Sequence, residues 1–163
     1  MKELKLKIGD VAPDFDLPVL RNGVKERLRL SSKSGTSMLV LAFYPLNWDV
    51  VSTRQLVEFQ AGRSEYTRHK AEIITISVDS IMNITAWERE IGPFDFLMCS
   101  DFWPHGDVCR KYGVLRDDEP FRGAAQPAIF VLGMNRKIQF QKFYSVGEVA
   151  PLEDIVSALE GIH

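Results

Sequence analysis

VLAFYPLNWDVVSTRQLVEFQAGR, residues 40–63, contains the change of pattern on which the fold of this chain depends. Residues 38–44 are apolar and rich in aromatic side chains, as is typical of a buried strand. Pro45 ends this run, because proline has no N–H group for the hydrogen bonds between strands. The stretch therefore predicts a strand that leads through a turn into a helix.

The helix is expected to begin at Asp49 or Val50 and to end at about His69. Its expected apolar residues are Val51, Leu56, Val57 and Phe59. The first N–H groups of a helix have no partner within it, so they favour negative charge at that end. Residues 49–52 lie in that field, and their identity decides which chemistry the chain can perform.

Strands and helices alternate after this stretch, and a hairpin precedes it. The hairpin is predicted by the Asn22-Gly23 turn between two runs of alternating apolar residues. The later strands are expected at residues 73–78, 94–98, 128–132 and 137–143, and the later helices at 81–90, 107–112 and 151–159. This order predicts an α/β fold, with a mixed central sheet flanked by helices on both faces, in one domain over residues 1–163.

Composition excludes several classes of function. Hydrophobic residues make up 45% of the 163 residues and charged residues 26%, as in an ordinary globular domain. The net charge of −2 argues against a nucleic-acid partner. The N-terminal residues lack the apolar core of a signal peptide, and no apolar run is long enough to span a membrane. A cytoplasmic protein without a membrane partner is expected.

The chain has two cysteines and three histidines. Cys99 and Cys109 do not form a disulfide framework, and two indifferent thiols are the favoured interpretation. The neighbouring Arg110 and Lys111 could lower the pKa of Cys109, which could then form a relocated redox couple with Cys99. The histidines, His69, His105 and His163, have no metal-ligand spacing with the cysteines. No metal site and no cofactor are expected.

Four segments together resemble a peroxiredoxin of the alkyl hydroperoxide reductase and thiol-specific antioxidant family. GDVAPDFDLP at 9–18 is similar to the family's opening segment, and LAFYPLNWDVVSTRQL at 41–56 to the unit that carries its active site. ISVDS at 76–80, followed by Trp87, resembles the next strand and helix. SDFWPHGDVCRKYGV at 100–114 resembles the subgroup called alkyl hydroperoxide reductase E. The resemblance implies a thioredoxin-like fold.

The resemblance also implies where an active site would lie. The family's loop reads Pro-x-x-x-Thr-x-x-Cys, and an arginine joins it from a later strand. The cysteine attacks a peroxide and becomes a sulfenic acid, which a thioredoxin- or glutaredoxin-like thiol partner reduces. The matching positions here are Pro45, Asp49, Ser52 and, to within one residue, Gln126. Three of the four differ from the family's residues.

Each of the three differences acts against a reactive thiolate. A serine cannot be oxidised as a thiol is, and its hydroxyl stays protonated without a strong base beside it. Asp49 is expected to cap the helix by accepting a hydrogen bond from the N–H of Val51 or Ser52, and its charge would raise the pKa of a thiol at position 52. Gln126 supplies no positive charge. The favoured hypothesis is a degenerate member that keeps the scaffold for binding, regulation or partner interaction.

Two alternatives remain open. The chain could be an active peroxidase, either because Ser52 replaces a native cysteine by engineering or because Cys109 acts as a relocated thiol. It could also be a serine hydrolase if the fold brings His105 to Ser52. The missing guanidinium could come from Arg54 or Arg122, although solvent-facing arginines are the favoured interpretation of both.

The resemblance further implies a homodimer, because the active-site loop and the FWPHG-like loop lie near a dimer interface in the family. The aromatic residues of these loops suit such a contact. Packing inside the fold is nevertheless the favoured interpretation of Trp48, Phe102, Trp103 and Pro104.

Overall fold

A computed structural model describes residues 5–162, so His163 lies outside the described part. The strands are β1 Asp16–Arg21, β2 Val24–Arg29, β3 Met38–Phe43, β4 Ala71–Ser77, β5 Leu97–Ser100, β6 Ala128–Leu132 and β7 Ile138–Phe143. The helices are α1 Val50–Ala61, α2 Arg63–Thr67, α3 Ile81–Ile91, α4 Asp107–Lys111 and α5 Leu152–Glu160, with a 3-10 helix at Leu30–Lys33. Among these described helices, none combines the length and apolar character needed to cross a membrane.

One seven-stranded sheet organises the chain, in the order β2-β1-β5-β4-β3-β6-β7. The three strands β3, β4 and β5 are parallel, and the remaining pairs are antiparallel. The mixed sheet, flanked by helices, confirms the predicted α/β architecture. The hairpin is also confirmed, because Asn22 and Gly23 both have positive φ angles, 49° and 78°, as a two-residue turn of this twist requires.

The two faces of the sheet bury separate apolar clusters. Since side chains alternate along a strand, Val40 and Ala42 of β3 face one side, and Leu41 and Phe43 face the other. Helices α1, α2, α3 and α5 cover the Val40 side. The opposite side is covered by α4 and by the segment that carries Phe15. Most of the helical layer thus lies on the face to which α1 belongs.

The expectation of one continuous helix to His69 is wrong. The chain bends at Gly62, which separates α1 from α2. A Cβ atom at Gly62 would lie 2.0 Å from the Cδ2 atom of Leu152, so only glycine allows α5 to pack so closely there. This close packing involves a residue 90 positions away, which the local helical pattern does not reveal.

The strand expected at residues 94–98 is displaced toward the C-terminus, and β5 covers Leu97–Ser100. Phe94 and Phe96 alternate with exposed Asp95 as they would in a strand, but their rings stack with centroids 4.8 Å apart. The N–H group of Asp95 donates to Oε1 of Gln60 at 2.8 Å. The backbone of this segment is therefore bonded to α1 and does not extend the sheet.

The apolar face of α1 also differs from the expected one. Leu56 and Phe59 are buried as expected, whereas Val57 is exposed. Gln55 is buried instead, because its amide donates to the carbonyl of Ala150 at 3.1 Å and accepts from the N–H of Ala150 at 2.6 Å. The two hydrogen bonds satisfy the buried amide and fasten α1 to the segment before α5.

Candidate functional site

The candidate site lies at the end of the sheet formed by the C-terminal ends of the parallel strands β3, β4 and β5. Phe43 pairs with Ile76 on one side and with Ala128 on the other. Because β6 runs antiparallel to β3, Pro45 and Gln126 each lie two residues beyond this pairing, at the same edge. The topology therefore collects the predicted positions of the active site at one end of the sheet.

Asp49 is the N-cap of α1, as predicted. Its backbone is extended, with φ −76° and ψ 137°, and its Oδ2 atom accepts the N–H of Ser52 at 3.0 Å. The same oxygen accepts the hydroxyl of Ser52 at 3.1 Å. Ser52 is only 2% exposed. The capping carboxylate thus occupies both hydrogen-bond donors of Ser52.

Replacing Asp49 by alanine is expected to destabilise the protein by about 1 kcal/mol, because the cap of α1 is lost. Asp49→Asn is the matched control, since its side-chain oxygen can still accept the N–H of Ser52 and the loss should be at most half as large. Urea denaturation followed by circular dichroism measures both. Equal losses in the two variants would show that the charge of Asp49, and not the cap, stabilises the fold.

A network of side-chain hydrogen bonds holds the loop between β3 and α1. The N–H of Asn47 donates to the carboxylate of Asp79 at 2.9 Å, and the Oδ1 atom of Asn47 accepts the hydroxyl of Tyr44 at 2.6 Å. Oδ1 of Asn83 accepts both Nδ2 of Asn47 at 3.0 Å and the indole N–H of Trp48 at 2.8 Å. Trp48 has a φ of 68°, which a non-glycine residue rarely adopts. These bonds fix the loop between β3 and α1 to the start of α3.

Gln126 does not bond to Ser52, and its side chain is held by Arg116 and Tyr144. Nη1 of Arg116 donates to Oε1 of Gln126 at 2.5 Å, and Nε2 of Gln126 donates to the carbonyl of Tyr144. The Arg116 side chain is 17% exposed and also pairs with Asp118. A guanidinium therefore contacts the residue that stands at the family's arginine position. Nothing in the sequence distinguishes Arg116 from the other arginines.

Arg54 and Arg122, the two candidates for the missing guanidinium, are surface residues, as expected. Arg54 pairs with Glu58 one turn along α1. Arg122 pairs with Glu119 in the loop before β6. Both side chains are more than half exposed, so their ion pairs contribute little to stability.

Both cysteines are free and fully buried, in the apolar cluster on the side opposite α1. Burial raises the pKa of the Cys99 thiol, and burial together with the nearby Asp101 carboxylate raises that of Cys109. Arg110 and Lys111, which could have lowered the pKa of Cys109, pair instead with Asp107 at 2.7 and 3.3 Å, and that pKa is raised. Neither thiol has the exposure and ionisation of a reactive cysteine.

Neither thiol is expected to react in the folded protein. Ellman's reagent should modify neither cysteine in native buffer at pH 8 and both after denaturation, because burial excludes the reagent and disfavours the thiolate. Intact mass spectrometry before and after peroxide treatment provides the second measurement. A mass gain of one or two oxygens at Cys109 in the native protein would contradict this expectation.

Asp101, at the end of β5, anchors the segment that most resembles alkyl hydroperoxide reductase E. Its fully buried carboxylate accepts the N–H groups of Val108 at 3.1 Å and of Cys109 at 2.8 Å, at the start of α4. Burial raises the pKa of Asp101, and the hydrogen bonds from Cys109 and Val108 oppose that shift. His105 in the same segment bonds to the carbonyl of Gly123 at 2.7 Å. Its ring is thus engaged in that loop, which weighs against a serine hydrolase.

The aromatic residues of the two loops are exposed, so the interpretation as packing residues is wrong. Trp48, Phe102 and Trp103 are each more than half exposed. Pro104 is exposed as well. The N–H of Gly106 donates to the Asp101 carbonyl at 2.9 Å and closes the loop that carries Phe102 and Trp103. The site edge therefore presents apolar surface to solvent.

Known proteins share both the sequence and this architecture. A model of the AhpC/TSA family matches residues 8–141. Alkyl hydroperoxide reductase E of Mycobacterium tuberculosis is 30% identical over 144 residues, which cover 88% of this chain and 90% of that protein. A structure of AhpC from Enterococcus faecalis superposes with a TM-score of 0.85 at 26% identity and covers 96% of this chain and 92% of that one. The reduced 2-Cys peroxiredoxin of Plasmodium vivax superposes with a TM-score of 0.87 at 21% identity, covering 94% and 80%.

Proposed function

Because the chain belongs to the AhpC/TSA family of peroxiredoxins, we propose that it is a degenerate member without cysteine peroxidase activity. Its scaffold would serve binding, regulation or interaction with a partner. The observation that carries this proposal is the bonding of Ser52 to Asp49. The residue at the family's cysteine position has no thiol, and the carboxylate beside it occupies the donor that a peroxide would need.

The charges around Ser52 support the same proposal. A carboxylate oxygen 3.1 Å from the Ser52 hydroxyl disfavours any anion there, whether a thiolate or a peroxide oxygen. At the family's arginine position, Gln126 presents an amide whose two ends bond to Arg116 and Tyr144. The site therefore lacks the nucleophile, and the guanidinium that contacts Gln126, that of Arg116, is bonded to Gln126 and Asp118.

A peroxidase assay tests the proposal. The protein, incubated with hydrogen peroxide and either dithiothreitol or a thioredoxin system, is expected to consume no more peroxide than the reductant alone. The Cys99→Ala/Cys109→Ala variant should behave identically. Consumption by the unchanged protein would refute the proposal. If that consumption disappeared in the Cys109→Ala variant, the chemistry would have moved to Cys109, with a thioredoxin-like partner as reductant.

The alternative in which Ser52 is an engineered replacement has less support. Changing one cysteine to serine would leave a threonine at position 49 and an arginine near position 126, whereas Asp49 and Gln126 occupy these positions. Relocation to Cys109 is also disfavoured, because its thiol is buried and its pKa is raised. The assay above separates both alternatives from the degenerate scaffold.

We further propose that the chain forms a homodimer through the exposed apolar residues of the site edge. Trp48 is 53% exposed, Val50 81%, Phe102 52% and Trp103 79%. They follow β3 and β5, whose ends meet at the same edge, and aromatic side chains there gain by being buried against a partner. Light scattering at micromolar concentration is expected to give the mass of a dimer.

Trp103→Glu should shift that dimer toward the monomer. Val24→Glu is the control, because Val24 is 57% exposed but lies on β2 at the far edge of the sheet. A monomeric mass for the unchanged protein, or equal effects of both variants, would refute a dimer formed through the site edge.

A further inference from the structure

Strand β2 forms one edge of the sheet and pairs with β1 alone. Hydrogen-bonded and non-hydrogen-bonded pairs alternate along two antiparallel strands. Leu30 follows β2, and its N–H donates to the carbonyl of Phe15 at 2.9 Å, which places the hydrogen-bonded pairs at the even-numbered residues of β2. Lys25, Arg27 and Arg29 therefore direct their backbone N–H and C=O groups away from β1, toward the open side of the strand.

Most of these outward backbone groups are unoccupied. The carbonyl of Arg29 accepts the hydroxyl of Ser32 at 2.6 Å. Within residues 5–162, the N–H groups of Lys25, Arg27 and Arg29 have no hydrogen-bond partner, and neither do the carbonyls of Lys25 and Arg27. The described N-terminal segment lies at the opposite edge, because the carbonyl of Leu6 bonds to a side chain of β7. An open row of this kind can pair with a further strand.

The side chains beside the open groups are cationic. Lys25, Arg27 and Arg29 alternate with the other residues of β2, so they share the face of the sheet that α3 covers. The contact of Nζ of Lys25 with the sulfur of Met82 on α3, at 3.2 Å, identifies that face. Both arginine side chains are 65% exposed, although Asp16 of β1 accepts a hydrogen bond from each, at 2.9 and 3.3 Å.

The hairpin as a whole has an excess of positive charge. Strands β1 and β2 carry four cationic and two anionic side chains, whereas the chain has a net charge of −2. The remaining two charged residues, Arg21 and Glu26, pair with each other at 3.0 Å, on the opposite face from Lys25. Three cations and one carboxylate therefore lie along the face that α3 covers. This stripe favours an acidic partner.

The same cations oppose pairing with a second copy of this edge. If two β2 strands paired antiparallel through their open sides, their outward-directed residues would lie opposite one another. A cation would then face a cation, which is destabilising. An added strand with an acidic residue at every second position would place carboxylates opposite Lys25, Arg27 and Arg29. The charges thus act against self-association and favour one class of partner.

We propose that the β2 edge binds an extended acidic segment of a partner protein, which adds a strand antiparallel to β2. Acidic residues at alternate positions face Lys25, Arg27 and Arg29, and uncharged residues between them lie beside Val24, which is 57% exposed. The main-chain hydrogen bonds supply affinity, and the alternating charges supply specificity. The proposal does not depend on whether the site at Ser52 is active.

Two peptides with capped ends test the charge pattern on the full chain at low ionic strength. The reference peptide is Thr-Glu-Val-Glu-Val-Glu-Thr, and Thr-Glu-Glu-Glu-Val-Val-Thr has the same composition without the alternation. Titration to millimolar concentration is expected to give saturable shifts in amide NMR spectra at Lys25, Arg27 and Arg29. The control peptide should bind at least about threefold more weakly, because fewer of its carboxylates can face the cations. Equal binding of the two peptides, or no saturable shifts, would overturn the proposal.

Methylation of the peptide backbone separates strand pairing from charge attraction. In the antiparallel pair, the N–H of the central glutamate donates to the carbonyl of Arg27, whereas the valine N–H groups point away from β2. Methylating the central glutamate amide should weaken binding about tenfold, and methylating a valine amide should not. Hydrogen exchange at the amides of Lys25 and Arg27 should slow in the complex. Equal effects of the two methylations, or unchanged exchange, would refute strand addition.

Variants localise the binding. Arg27→Gln/Arg29→Gln should weaken binding of the reference peptide about fivefold. Arg54→Gln/Arg68→Gln makes the same change in net charge at two exposed arginines outside the edge and should leave binding unchanged. Circular dichroism confirms that each variant is folded. An oligothymidylate of the same length should bind more weakly than the reference peptide. Equal effects of the two arginine pairs, or tighter binding of the oligothymidylate, would contradict the proposal.

Discussion

Ser52→Cys is expected to react with hydrogen peroxide no faster than an ordinary, unactivated thiol. The new thiol would be buried beside Asp49, whose carboxylate lies 3.1 Å from the present hydroxyl oxygen, and both effects raise a thiol pKa. A raised pKa leaves less thiolate at neutral pH than an exposed cysteine has. Stopped-flow kinetics and trapping of the sulfenic acid with dimedone measure the reaction.

The matched comparison restores the surroundings together with the nucleophile. Asp49→Thr/Ser52→Cys/Gln126→Arg returns the family's residues to the three changed positions, and we expect it to react at least about tenfold faster than the single variant, since the repelling carboxylate is gone. Asp49→Thr/Gln126→Arg, which keeps the serine, is the control and should not react. Fast sulfenylation of the single Ser52→Cys variant would show that the surroundings of position 52 still activate a thiol.

Asp101→Ala is expected to lower the free energy of unfolding by about 2–5 kcal/mol. The substitution leaves the buried N–H groups of Val108 and Cys109 without an acceptor, and each such group costs roughly 1–3 kcal/mol. It also removes the carboxylate that holds the start of α4 and, through that helix, the exposed loop with Phe102 and Trp103. Denaturation in guanidinium chloride measures the loss.

Two control variants separate this effect from a general loss of negative charge. Asp117→Ala removes an exposed carboxylate and should change stability by less than about 0.5 kcal/mol. Asp101→Asn retains one oxygen acceptor, so its loss of stability should fall between those of Asp101→Ala and Asp117→Ala. Hydrogen exchange at the amides of Val108 and Cys109 should accelerate more than that of the β3 core. One ordinary hydrogen bond contributes about 1 kcal/mol to stability. A loss smaller than this for Asp101→Ala would mean that water replaces the carboxylate as the acceptor.

Local patterns were sufficient to predict most elements of the fold. The apolar run of β3, the Asn22-Gly23 turn and the helix expected at residues 81–90 correspond to the structure because each depends on neighbours in the chain. The close packing of Leu152 on Gly62 and the bond from Asp95 to Gln60, which accompanies the shift of β5, join residues that are distant in sequence. Elements are predicted well where their causes are local.

Some features of the candidate site likewise follow from the sequence, and others depend on tertiary contacts. The lack of a thiol at position 52 and the capping by Asp49 follow from the sequence, since a serine cannot be oxidised as a thiol and a cap joins residues three apart. The burial of Cys109, the bond from Arg116 to Gln126 and the outward position of Trp103 depend on contacts between distant elements. Only the tertiary structure determines them, because burial and long-range pairing are properties of the packed chain.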